Sequence, residues 1–156
     1  MLFLIAILGR WERAGNVTDI HRITFGLVLA GAAYLVLAAA TALTGGGKVP
    51  LAPEILFFLL IDFSIPWVDT VILTMISRDA PAGIVSTMLG VYYLATAIGN
   101  FLNGWLGGFS DKMSFPAFWT MHAAIYGVLL VLMLAGGGAL ARMLATAKPK
   151  PIAAQA

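Results

Sequence analysis

The chain has 156 residues, of which 61% are hydrophobic and only 10% charged, and its formal net charge is +2. A soluble domain carries about 25% charged residues, so a chain with this few cannot cover a core with a solvated surface, and the composition defines an integral membrane protein. There are no cysteines, which excludes a disulfide framework, a thiolate metal site and a cysteine nucleophile, and no basic block with interleaved aromatics points to nucleic acid.

Residues 1–8 form a short apolar piece. Eight helical residues rise about 12 Å, too little for a hydrocarbon core of about 30 Å. The piece is either an interfacial foot or the end of a helix whose beginning is missing. It is not a convincing signal peptide, because no basic residue precedes it and no small-residue cleavage site follows.

A spanning helix needs about 20 mostly apolar residues. Four segments meet this requirement, at about 23–43, 54–76, 84–107 and 115–140. The stretches between them are turn-forming: "TGGGKVPLAP", "SRDAPAG" and "GGFSDKMSFP" combine glycine, proline and short polar residues. The tail "ATAKPKPIAAQA" has no apolar periodicity, and residues 145–156 are expected to be a disordered cytoplasmic tail. The expected fold is therefore all-α, a polytopic membrane helix bundle of four complete spans plus a partial one at the N-terminus. Arg10, Arg13, Arg22, Arg78, Arg142, Lys148 and Lys150 fall on one side of such a bundle, and Lys48 and Lys112 on the other. The positive-inside rule then puts both ends in the cytoplasm, with the chain in the cell (inner) membrane.

The second span holds "LLIDFSIPWVDTVI". Asp62 and Asp69 are seven residues apart, which in an α-helix sets them within about 20° of each other and about 10.5 Å apart along the axis. Pro66, between them, cannot donate to the carbonyl of Asp62 and crowds it, so a kink is expected there. An Asp at mid-membrane costs about 2.5–3.5 kcal/mol on insertion scales. Two on one face require water, a cation or hydrogen-bond partners. One reading is a polar cavity that binds a proton, a cation or an ammonium group. The other is an interhelical hydrogen bond that only fixes packing.

In the third span Tyr92, Thr96, Gly99 and Asn103 recur at helical spacing, with Asn100 beside them. Such a stripe either lines water or bonds a neighbouring helix. Gly104 and Gly108 in the same segment form a G-x-x-x-G pair that permits close contact. The first span, with Tyr34 and Thr41 as minor polar points, reads as a packing or lipid-facing helix. In the fourth, Trp119, His122 and Tyr126 share a face, and His122 reads as a neutral hydrogen-bonding residue near the interface. No nucleophile elbow, zinc motif or phosphate loop is present, so no enzymatic activity is expected, and His21 and His122 do not form a ligand set.

The stretch "RDAPAGIVSTMLGVYYLATAIGNFLNGWLGG" resembles the eleventh helix of proton-dependent oligopeptide transporters of the major facilitator superfamily, with its "AP" turn, "G-V-aromatic-aromatic-L" and "A-GN" pattern. Arg22 and Gly26 in "HRITFGL" resemble the opening of the family's ninth helix, and Pro66 the proline of its tenth. The resemblance covers about residues 1–144 and maps the four spans onto helices nine to twelve, with residues 1–8 as the end of the eighth. It implies alternating access, coupling to a proton gradient with no cofactor, and di- or tripeptide substrates. It also implies a cavity partly lined by the second and third spans, with Tyr92 facing substrate. A family glutamate shortly before the proline is associated with the peptide's amino terminus. Here the position five before Pro66 is Ile61, and the nearest acid is Asp62. Either Asp62 substitutes after a one-residue slip, which rotates the side chain by about 100°, or the function has drifted.

The first-helix coupling cluster and fifth-helix signature of that family do not occur in the chain, and such a transporter needs two six-helix halves around its site. The leading expectation is thus the C-terminal part of a proton-coupled transporter, partnered by membrane lipid and by a missing N-terminal half. Its candidate substrate- and proton-binding residues are Asp62, Asp69, Tyr92, Thr96, Asn100 and Asn103. The alternatives are a stand-alone four-span protein that assembles into an oligomeric pore, and a non-transporting accessory subunit.

Overall fold

In the computed structural model the described residues are 18–45, 47–81 and 83–147, with side chains described to residue 139. The expectations for residues 1–8 and 148–156 lie outside them. Among the described residues all regular structure is helical. Helix α1 is Asp19–Leu43, α2 is Leu51–Ile65, and a π-helical turn, Pro66–Thr70, joins α2 directly to α3, Val71–Asp79. Helices α4, Val85–Gly107, and α5, Phe115–Ala147, complete the chain.

Four stretches are long and apolar enough to cross a membrane: Asp19–Leu43, Leu51–Asp79, Val85–Gly107 and Phe115–Ala139. All four spans read from the sequence are present, but their ends move. Helix α1 starts four residues earlier than the apolar run, because Thr18 caps it: its hydroxyl accepts from the His21 backbone N–H at 3.4 Å, and Asp19 in the first turn complements the helix dipole. The helix ends where Gly45 takes φ +57°, the left-handed conformation that closes many helices. The second span stops at Asp79 because Ala80, preceding Pro81, is extended (φ −76°, ψ 141°). Helix α5 continues to Ala147, so residues 145–147, expected to be disordered, are helical.

Helix α1 is the centre of the packing. It lies against α2, the π turn and α3 on one side and against α5 on the other. Its buried positions include Gly26, Ala30, Ala33 and Leu37, a stripe of mostly small residues that lets neighbours approach closely. A Cβ at Gly26 would lie 2.6 Å from Val68 Cγ2, 3.0 Å from Trp67 Cβ and 3.1 Å from the Ser64 carbonyl oxygen. Trp67, 2% exposed, fills the joint and meets the Phe25 ring edge-on at 5.0 Å. At the same end of the bundle, Arg78 Nη2 reaches Asp19 Oδ2 and Asp79 Oδ2, each at 2.7 Å, tying the start of α1 to the end of α3. There too a Cβ at Gly137 of α5 would lie 2.9 Å from Ile20 Cγ2.

Helix α4 is different. It has no buried residue, and its principal contact is with α3, across the short turn that precedes it. Hydroxyls of the spans are satisfied inside their own helices. Thr41 donates to the Leu37 carbonyl at 2.7 Å, Ser64 to Ile61 at 2.7 Å, Thr74 to Thr70 at 2.7 Å and Thr96 to Tyr92 at 3.0 Å. In lipid such bonds remove donors that would otherwise be unpaired.

Candidate functional site

The chemistry-bearing residues begin at the break in the second span. Pro66 removes a backbone donor, as expected, but the helix does not simply bend. It passes through one π turn, a conformation found mostly as isolated bulges and often at functional sites. Buried Ser64 donates to the carbonyl of Ile61 just before the break, the kind of local side-chain bond that compensates for a proline within a span.

Asp69 lies within the π turn, exposed, and its carboxylate interacts with the half-buried phenol of Tyr92 on α4. Two successive spans therefore share a carboxylate–phenol pair. Asp62 is also exposed, one helical stretch earlier on α2. Thr96 is exposed, and its hydroxyl proton is held by the Tyr92 carbonyl, which leaves the oxygen as an acceptor.

Asn100 and Asn103 stand elsewhere. They line a cleft of about 690 Å³ between α4 and the α1–α5 pair, shared with Tyr34, Trp105, His122 and Tyr126. His122 is buried and its Nδ1 lies 3.0 Å from the Phe118 carbonyl. A carbonyl only accepts, so Nδ1 carries the proton, and in the neutral ring Nε2 is left as an acceptor. The Tyr34 ring stacks on His122 at 5.2 Å and on Tyr126 at 5.4 Å, and receives Phe57 edge-on at 5.3 Å. His122 is therefore set in an aromatic core, about 10 Å along α5 from its start.

The six candidate residues thus fall into two groups and an outlier. Asp69 and Tyr92 are together, with Thr96 one turn on. Asn100 and Asn103 face the aromatic cleft, and Asp62 lines neither. The clustering of Tyr34 with His122 and Tyr126 was not visible from spacing, which relates residues within one helix only. The Asp19–Arg78 pair was missed for the same reason: the partners are 59 positions apart. Among the described residues no group of three or more His, Asp or Glu side chains is arranged to hold a metal ion.

The length and composition of the four helices define the class, an integral membrane protein. No family model, curated protein or solved structure matches the chain.

Proposed function

We propose that the chain is the C-terminal part of a proton-coupled secondary transporter for small peptides or related solutes, working by alternating access with the helices that complete its cavity. The observation that carries this reading is the π turn that breaks the second span at Pro66, with exposed Asp69 inside it and Tyr92 of α4 within its electrostatic reach. Ionisable residues in spans are costly and stand at ion or proton pathways or against polar partners, and transporter sites form where spans are discontinuous. The exposure of Asp62 and Asp69 in this chain fits acids that meet a second helical unit across a wet cavity. In this reading both chain ends are cytoplasmic, which the distribution of Lys and Arg supports.

The test is uptake of a labelled dipeptide by the complete transporter under an inward proton gradient. Asp62→Asn and Asp69→Asn are expected to abolish the pH dependence of uptake while membrane insertion persists. Uptake that keeps its pH dependence in both variants removes the acids from the mechanism. Tyr92→Ala is expected to weaken substrate affinity by roughly three- to tenfold, the worth of one hydrogen bond, with coupling retained.

A second reading is favoured by α4, which has no buried residue: a stand-alone four-span protein whose copies cover that helix by assembling around a pore. The mass of the purified chain in detergent separates the two. A symmetric oligomer of the chain alone supports this reading, and a monomer supports the first.

A further inference from the structure

At the end of the bundle opposite the Asp19–Arg78 pair lies a second pocket that the transport reading does not use. It sits between the end of α1, the start of α2 and the start of α5, and its volume is about 300 Å³. Its lining includes Thr41, Glu54, Phe57, Phe58, Phe115 and Trp119. Thr41 donates to the Leu37 and Ala38 carbonyls of its own helix at 2.7 and 3.0 Å, so its proton is not offered to the pocket. Beside the apolar Leu37, Gly47 and Val49, what remains is four aromatic rings and one carboxylate.

Three of the rings contact one another through Phe57. Phe57 meets Phe58 edge-on at 5.3 Å and lies 6.2 Å from Trp119. Phe58 and Phe115 are 54% and 55% exposed, so the pocket is open. Among the described residues the Glu54 carboxylate makes no ion pair, although Lys48 is in the adjoining loop. Glu54 in the first turn of α2 also complements that helix's dipole, but this role needs no aromatic enclosure.

Aromatic faces attract cations, and a carboxylate adds a full negative charge. Hard inorganic cations require about six oxygen ligands, which one carboxylate among rings does not supply. A weakly hydrated cation with an apolar surface suits the lining. We infer that this pocket binds an alkylated ammonium group, with Glu54 as counter-ion and the four rings around its methyl or methylene groups. The group belongs either to a lipid headgroup, since the pocket sits at the ends of the spans, or to a free amine.

The experiment uses the full chain. Tetramethylammonium chloride is titrated calorimetrically into chain in maltoside detergent, with sodium chloride at equal ionic strength as the control. In parallel, chain in nanodiscs of equal phosphatidylcholine and phosphatidylglycerol is released for native mass spectrometry, and the retained lipid is identified. Saturable tetramethylammonium binding, about tenfold weaker in Glu54→Gln and in Phe58→Leu, supports a free amine. Selective retention of phosphatidylcholine, lost in the same variants and without tetramethylammonium binding, supports a headgroup. Heats equal to those of sodium chloride with no lipid preference overturn the inference, as does binding unchanged in both variants. Glu54 and Phe58 are exposed, so neither substitution disturbs the core. The pocket is formed by this chain alone, and its test is independent of transport.

Discussion

Gly26 shows how much a single position decides. The close approach of α1 to the π turn leaves no room for a side chain there: a methyl group would press on Val68, Trp67 and the Ser64 backbone at 2.6–3.1 Å. Overpacking of this kind costs about 1–3 kcal/mol. Gly26→Ala is therefore expected to lower the midpoint of thermal unfolding in detergent. Gly99, in the middle of α4, has nothing within 4 Å of the same added atom. There alanine replaces the poorer helix former, worth up to about 1 kcal/mol, so Gly99→Ala is expected to leave the midpoint unchanged or raise it. Spacing separates the two glycines: Gly26 shares a stripe with Ala30 and Ala33, and small residues on one stripe mark close helix contacts in membranes, whereas Gly99 shares one with Tyr92, Thr96 and Asn103.

At the scale of elements, the presence of the spans was legible and their burial was not. Length and hydropathy mark a span whatever covers it. The usual contrast of apolar and polar faces fades in a bilayer, because lipid and protein neighbours are both apolar. So α1 reads equally as a packing or a lipid-facing helix and α4 as one with a G-x-x-x-G contact, yet α1 is the packing centre and α4 has no buried residue. Leu37→Ala on α1 is expected to cost about 2–5 kcal/mol, as for buried leucines elsewhere. Leu94→Ala on α4, at a side chain 61% exposed, is expected to stay within about 0.5 kcal/mol. Reversible unfolding in mixed micelles measures both. Pro66 announced a break, but a missing donor does not dictate how the backbone re-pairs, and the π turn was not foreseeable. Pro66→Ala is expected to let the turn relax to α-helix and rotate α3 about its axis. A cysteine at Val68, which packs toward Gly26, should then react faster with a small thiol reagent. An unchanged rate would mean that packing around Trp67, and not the proline, holds the π turn.

For the whole molecule, charge supplies the topology prediction. Arg22 and Arg78 lie at one end of the bundle, Lys48 and Lys112 at the other. Cysteines at positions 48 and 112 of the intact cell are expected to react with an impermeant reagent from outside, and one at position 78 only after permeabilisation. The reverse pattern would invert the proposed orientation. The candidate site was legible as a set of residue types on two spans. Its partition into the Asp69–Tyr92 pair and the aromatic cleft was not, because both depend on how α4 sits against helices far from it in sequence.

The most extensive pairing in the bundle joins α1 to α5, with Tyr34 laid against His122 and Tyr126. A ribosome delivers those two partners far apart in time, with α2–α3 and α4 emerging between them. Until α5 arrives, one flank of α1, with the Tyr34 ring upon it, stays bare in the lipid. Interrupted synthesis that omits α5 thus leaves α1 paired with α2–α3 alone, its Tyr34 flank without His122 and Tyr126.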